Sequence, residues 1–388
     1  MKRIGIDARF YGKAGPGRYT KNIVIHLEKI DLKNEYLVFL KKEGFEAYFP
    51  KNKNFKKILA NYNWYSFDEQ IRFLFKIVFS KLDLFYTPHF NFPILYPGKI
   101  VSAIPDMTMH TFSTEKGTTL PKPYFKLKKL VYRWVFKWLI VRAKKIVVPT
   151  NTVLTEFNQT FRNVPKSKFT VAYEGVDPDL ISSVTSGADE VLKKYMVEKP
   201  YILYVGSMYE HKNISGLIEM FKILRDRFGY VGNLVLICKK DKFSKKVYED
   251  IKALGFGEKI IMPAFNTNSS SDIVVSDEEA IVFRKEADLY VFPSFKEGFS
   301  LTALEAMSVG LASVISGIPC HREVYGDSVL YFDPRNAQDM AEKANSVLVN
   351  AKLKDSLISK GYEQVKKYSW ENTAKITLDI FNQALKDS

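Results

Sequence analysis

The sequence predicts an α/β protein made of two Rossmann-like domains, and three observations carry that expectation. At 388 residues and 46% hydrophobic content, the chain is too long for one ordinary core. Short β-prone apolar runs alternate with helical patterns from end to end, as parallel sheets require. The charge is also divided: residues 1–185 hold 31 Lys and Arg against 15 Asp and Glu, and residues 186–388 hold 27 against 28. The net +15 therefore belongs to the first half, which is expected to meet an anionic partner.

Composition excludes several classes. Cys238 and Cys320 lie far apart and lack metal-ligand spacing, so they read as reduced core thiols of a cytosolic protein and zinc is not expected. The opening MKRIGIDARF carries charges through its apolar run, unlike a signal peptide, and no uncharged apolar stretch reaches spanning length. The expectation is a cytoplasmic protein, free or peripheral on the inner face of a membrane. Repeats and disorder signals are absent from the sequence.

Taken in order, Arg3 to Ala8 reads as a strand. Gly12, Gly15 and Gly17 read as a permissive loop before the helical pattern of Ile23, Leu27 and Ile30, with Arg18 beside them. Such a unit lets backbone approach a diphosphate, and it equally describes a plain βα turn. Glu35 to Lys41 follows as a strand, and Lys51 to Lys57 as a lysine-rich surface loop. Phe67 to Phe79 reads as helix, and Leu82 to Thr87 as a strand running into His89. Ile100 to Ile104 is another strand, followed by Pro105, Asp106 and His110. Loops at the carboxyl ends of such strands are where doubly wound sheets bind ligands, which makes His89 and His110 candidates for a cleft.

Lys116 to Lys145 contains ten Lys or Arg and no acid, with aromatics interleaved. On a helical wheel Tyr124, Leu127, Val131, Trp134, Trp138 and Val141 share one face, opposite Lys122, Lys126, Lys129, Arg133 and Lys137. One reading packs the apolar face on the sheet and leaves the basic face in water. Another attaches the basic 116–145 region to an anionic membrane at about 1 kcal/mol per residue, without apolar insertion. Both readings can hold together. Nucleic acid ranks below membrane as the anionic partner, because no motif of a known binding module is present.

Ile146 to Pro149, Thr152 to Phe161 and Phe169 to Tyr173 read as strand, helix and strand, ending at Glu174. The boundary is placed within Asp179 to Pro200, giving domains of 1–180 and 195–370. Tyr201 to Val205 opens the second domain as a buried strand, with Gly206 and Ser207 at its turn and a helix from Ile214 to Phe228. Leu234 to Cys238 and Lys259 to Pro263 are the next strands, and Asn266 to Ser271 a flexible loop. Ala337 to Val349, Leu353 to Tyr368 and Ala374 to Leu385 close the chain as helices.

Residues Ala287 to Ile318 are the stretch around which the rest is organised. Asp288 to Phe292 is a buried parallel strand closed by Pro293, and Ser294 to Ser300 is a turn containing Gly298. Ser300 is the expected N-cap of a helix through Leu301 and Met307 that ends at Gly310. The amides of Gly298, Phe299, Ser300 and Leu301 then suit an anion, while Glu297 and Glu305 can accept hydrogen bonds from vicinal hydroxyls. A nucleotide sugar offers both. Equally, Glu305 can balance the helix dipole and Glu297 can be a solvated charge.

EGFSLTALEAMSVGLASVIS resembles the signature E-G-F-G-L-x-x-x-E-A-M-A-x-G-x-P-V of family 4 retaining glycosyltransferases. DARFYGKAGPGRYTKNI resembles the opening of that family's mannosyltransferase-like members, and VGSMYEHKN resembles their V-G-R-x-x-x-x-K-N. The resemblance covers nearly the whole chain. It implies the GT-B architecture, two Rossmann-like domains facing across a cleft, with the last helix, about 371–388, crossing back to the first domain. It also implies transfer of a hexose from a nucleotide diphosphate sugar, GDP-mannose or a UDP-sugar, to a glycan or lipid-linked acceptor, with no cofactor and no metal. Glu297, Lys212 and Asp106 would be catalytic. Gly15, Gly17, Arg18, Gly206, Ser207, Lys212, Glu297, the 298–301 amides and Glu305 would hold the donor. Two positions depart from the pattern: Ser207 stands for an arginine, whose charge Arg18, Lys296 or Arg322 would restore, and Pro105 stands for a histidine. Those departures keep a rival open, a catalytically idle nucleotide-sugar-binding or nucleic-acid-binding protein.

Overall fold

The computed structural model describes residues 1–12, 14–111, 122–176, 187–265 and 275–386. The chain divides into two compact units, Met1–Gly175 with Ser369–Ser388, and Val176–Tyr368. This division falls ahead of the Asp179 to Pro200 stretch.

In the first unit seven strands form one parallel sheet: β1 (Arg3–Asp7), β2 (Glu35–Leu40), β3 (Phe55–Leu59), β4 (Leu84–Thr87), β5 (Ile100–Ala103), β6 (Lys145–Val148) and β7 (Phe169–Val171). Their order is β3-β2-β1-β4-β5-β6-β7. Strands β1, β2 and β4 are buried almost throughout, so their Ile, Val and Phe runs show no polar alternation. The last helix, Trp370–Lys386, belongs to this unit: Phe381 meets Tyr86 at 5.0 Å, and Lys99 Nζ donates to the Leu385 carbonyl at 3.1 Å. Gly175 makes that return possible, because a Cβ there would lie 2.3 Å from the Trp370 nitrogen.

The second unit has six strands: β8 (Tyr201–Val205), β9 (Asn233–Ile237), β10 (Ile260–Ile261), β11 (Leu289–Phe292), β12 (Ser313–Ser316) and β13 (Leu330–Phe332). They pair in parallel in the order β10-β9-β8-β11-β12-β13. In each sheet the strand order reverses beside the first strand, between β1 and β4 and between β8 and β11. Ligands of doubly wound sheets bind at that reversal, beyond the carboxyl ends.

Several expectations are corrected. Gly15 and Gly17 lie inside the helix Ala14–Ile30, not in a loop before it. Gly17 is required there by packing, since a Cβ would come within 2.1 Å of the Phe10 carbonyl oxygen. Residues 55–57 of the lysine-rich stretch are strand β3, which pairs with β2 at the sheet edge. Beyond these corrections, residues 319–325 form a further helix, Pro319–Tyr325, with proline in its first turn. Asn266 to Ser271 lies outside the described residues.

The helix Lys122–Arg142 is turned over relative to the expectation. Tyr132, Phe136, Leu139 and Ile140 are buried in the core, whereas Leu127, Val131, Trp134, Trp138 and Val141 are exposed. The reason is a stronger competitor for the interior. Phe136 packs on Phe90, Phe157 and Phe161 in an aromatic cluster over the sheet, so that side of the helix faces in. The other apolar row is left outside. Tyr124, Lys122 and Lys126 have side chains outside the described set.

Candidate functional site

The second unit builds its site from the two loops that flank the strand reversal. After β8 the chain turns at Gly206, whose amide donates to Ile237 O at 3.0 Å. It then makes a single turn, Glu210–Lys212, and enters the helix Ile214–Phe228 through Asn213. After β11 the loop 293–300 leads to the helix Leu301–Ser308. The two loops are tied together twice. Phe295 N donates to His211 O at 2.7 Å, and the buried Asn213 side chain donates to Pro293 O at 3.2 Å and to Pro334 O at 2.7 Å. Asn213 adopts a left-handed φ of 56°, which asparagine tolerates better than most residues and which aims its amide across the gap.

These ties bring Lys212 and Glu297 together, Nζ to Oε1 at 2.6 Å, with side chains 15% and 10% exposed. Burial raises the Glu297 carboxyl, but the Lys212 charge, His321 and the hydrogen bond from Lys212 outweigh it and hold the pKa below the ordinary value. Glu297 is therefore an anion poised at the sheet edge, 85 positions from its partner in sequence.

Ser300 occupies the N-cap position with φ 75° and ψ 63°, a left-handed conformation that glycine adopts at least cost. Contrary to expectation, its hydroxyl does not cap the helix. It points instead to His321 Nε2, at 3.1 Å. Ser316 Oγ donates to Ser294 O, so His321 Nδ1–H donates to Ser316, whose carbonyl lies at 2.9 Å. His321 Nε2 is thereby left to accept from Ser300. Burial pushes the His321 pKa down to about 4, against the pull of Glu297, and the ring is neutral. Tyr325 OH, from the same helix, donates to Ser300 O. The helix Pro319–Tyr325 thus grips both the hydroxyl and the carbonyl of the strained residue.

Glu305 projects from the second turn of the helix Leu301–Ser308 and pairs with the Arg284 guanidinium, which is 4% exposed. Arg284 comes from the helix Asp277–Glu286. Sequence reasoning missed that helix, although its capping box, Ser276 with Glu279, was legible.

Residues 192–364, nearly the whole second unit, match the family described as Glycosyl transferases group 1. The second unit of the chain carries a glycosyltransferase domain. The O-antigen chain mannosyltransferase RfbU of Salmonella typhimurium is 24% identical over 313 residues, covering 80% of this chain and 76% of that protein. Among solved structures, sucrose-phosphate synthase from Thermosynechococcus elongatus superposes with a TM-score of 0.74 at 16% identity, covering 100% of both chains. HepE of Anabaena, in complex with UDP and glucose, gives 0.73 at 14% identity, covering 99% of this chain and 100% of that one. These likenesses establish the two-domain α/β fold class, GT-B.

The remaining candidates make contacts of their own. Ser207 sits in the turn after β8 and accepts from Tyr204 OH through its carbonyl at 2.8 Å. Of the cations expected to replace the missing arginine, Arg322 donates to Gly317 O at 3.1 Å and stacks on Tyr331, while Lys296 adjoins Glu297 in the loop. Arg18 belongs to the first unit. There Asp106 accepts from Thr108 N at 2.7 Å, and His110 Nδ1 meets Tyr132 OH at 2.9 Å. Asp106 and Arg18 both act on Glu174, three residues beyond β7. Burial raises the Glu174 pKa to about 8, with Arg18 lowering it and Asp106 raising it. His89 makes tilted ring contacts with Phe10 and Phe90, and burial pushes its pKa down to about 4. The sequence contains one Asp-x-Asp spacing, Asp177-Pro178-Asp179, which lies outside the described residues.

The first unit holds one constellation the sequence did not announce. Arg9 binds Asp7 in bidentate fashion at 2.8 and 2.6 Å, reaches Glu69 at 2.6 Å, and lies 4.1 Å above the Phe73 ring. Asn91 Nδ2 and the Tyr65 amide complete the Glu69 shell. All of this sits at the carboxyl end of β1.

Proposed function

We propose that this protein is a hexosyltransferase, a retaining enzyme of glycosyltransferase family 4, moving mannose from GDP-mannose to a hydroxyl of a glycan or lipid-linked glycan in the cytoplasm. The observation that carries the reading is the Lys212–Glu297 pair at the strand reversal, a cation and a hydroxyl-accepting anion 2.6 Å apart. Lys212, with the 298–301 amides, would take the diphosphate, where charge grows as the bond from the anomeric carbon to the leaving oxygen breaks. Glu297 would accept from sugar hydroxyls, and Glu305, braced by Arg284, from the ribose. Asp106 and Arg18, with Gly15 and Gly17 nearby in sequence, would act from the first unit, with His89 and His110 as candidates to meet the acceptor. The nucleoside diphosphate leaves with the bonding electrons, the acceptor oxygen forms the new bond, and its proton is released.

Support for a nucleotide-sugar donor comes from HepE, which shares the fold and is seen with UDP and glucose; support for mannose comes from RfbU. In this reading a fixed ammonium and helix amides do the work a divalent ion does elsewhere, so EDTA leaves the rate unchanged. The idle-binder reading keeps one specific motive, serine at 207 where a cation is expected. Incubation with GDP-mannose and with UDP-hexoses, with and without lipid extract, separates the two. Consumption of one donor with an α-linked product supports transfer, and no consumption of any donor favours the binder.

A further inference from the structure

The helix Lys122–Arg142 is apolar on two opposite sides. Tyr132, Phe136 and Leu139 are buried in the core. Opposite them Leu127, Leu130, Val131, Trp134, Trp138 and Val141 form a stripe at helical spacing, between 37% and 66% exposed. Trp134 and Trp138 stack with centroids 6.3 Å apart and planes within 4°. The stripe has a held neighbour. Trp138 Nε1 donates to Ile94 O at 2.9 Å, and Ile94 N donates to Gln70 Oε1 at 2.9 Å. That loop, bearing the exposed Leu95, is locked between this helix and the turn Glu69–Phe73. From the turn, where Ile71 is exposed, runs the helix Leu74–Phe79, with Phe75 and Phe79 exposed as well. Exposed apolar surface on this scale marks an interaction site.

Charge selects the occupant. Arg133 and Lys137 are exposed beside the stripe, and residues 116–145 carry ten basic side chains and no acid. A second copy of the chain would set two such basic rows against each other. Nucleic acid would use the tryptophans and lysines but leave Leu127, Leu130, Val131 and Val141 facing nothing apolar. An anionic bilayer satisfies all three kinds of side chain: hydrocarbon takes the aliphatics, the headgroup boundary takes the indoles, and lipid phosphates take the cations. We propose that this face of the first unit seats on an anionic lipid bilayer, with the Trp134–Trp138 row inserted at the headgroup boundary. It differs from purely electrostatic attachment because the apolar row, not the basic flank, enters the lipid. It does not depend on the donor or on the transfer reaction.

The test uses the full chain and sucrose-loaded vesicles, of phosphatidylcholine alone or with about a third phosphatidylglycerol. The native protein is expected to sediment with the anionic vesicles, and brominated acyl chains are expected to quench its tryptophan emission. The Val131→Ser/Trp134→Ser variant should bind on the order of tenfold or more weakly while keeping its circular dichroism and thermal midpoint, since both residues lie at the surface. Arg133→Gln and Lys137→Gln should each cost on the order of fivefold and reduce the salt dependence. Failure to bind anionic vesicles would overturn the proposal, as would full affinity in the double-serine variant. A dimer that the same variant disperses, without vesicle binding, would assign the face to a second copy instead. Donor consumption in a lipid-free assay is read separately, so loss of one result leaves the other standing.

Discussion

The two units share a strand order and diverge in what they place at the reversal. In the first, Arg9 sits between Asp7 and Glu69 with side chains 0%, 3% and 0% exposed, a charged knot sealed from solvent. In the second, Lys212 and Glu297 meet at a similar distance but remain partly open. Sealed ions cannot change partners without a large desolvation cost, so the first knot holds loops in place. An open pair can exchange one partner for a ligand. The same topology therefore holds an anchor in one unit and a candidate site in the other, and the difference lies in how far each pair is withdrawn from water.

That contrast breaks most decisively at Arg9. Arg9→Leu strands two buried carboxylates and should cost about 3–5 kcal/mol, read as a lower denaturation midpoint of the first unit. An unmoved midpoint would show that the knot anchors nothing. Next in size, Lys212→Ala and Glu297→Ala should each reduce transfer by on the order of a hundredfold or more while leaving the fold intact. Near-native turnover in either removes that residue from the site.

The histidines sharpen the comparison because each unit holds one whose pKa is depressed. His89 and His321 both have folded pKa values near 4, below the unfolded value, so both bind protons on unfolding. The stability they contribute is complete above about 6.5 and is lost as pH falls toward 4. Urea titrations across that window should show the decline, and His321→Gln should flatten part of it; an identical slope in the variant would rule out a buried neutral imidazole there. Glu174 runs the other way. Its pKa is raised to about 8, so its contribution falls as pH rises from the unfolded carboxylate value through 8. Glu174→Gln should remove that fall and leave the protein more resistant to urea at alkaline pH than the parent.

Local signals in the chain located the second unit's loops, because strand, turn glycine and helix start follow one another within a few residues. Glu297 and Lys212 were both legible, the first from its place before Gly298 and the second from its place before a helix. Their contact was not, since it depends on Asn213 tying one loop to the other across 80 positions. The Asp7–Arg9–Glu69 knot escaped for the same reason: Glu69 is 60 residues from its partner, and no periodicity links them. The Lys122–Arg142 helix failed differently. Its wheel shows two apolar sides, and only the competition between Phe136 with its aromatic neighbours and the tryptophan row decides which faces inward. Ser300 was expected to cap through its hydroxyl, but a left-handed backbone turns the side chain toward His321 instead.

The Lys212–Glu297 contact also sets a condition on admission. Any visitor that draws the ammonium away leaves a shielded carboxylate needing new donors, and any visitor that engages only the carboxylate leaves the ammonium wanting an anion. A free phosphate meets one demand and a free sugar the other. On the proposed reading, a molecule bearing both on one frame would meet them together, so the ion pair would act as a coincidence test favouring the intact conjugate over either fragment.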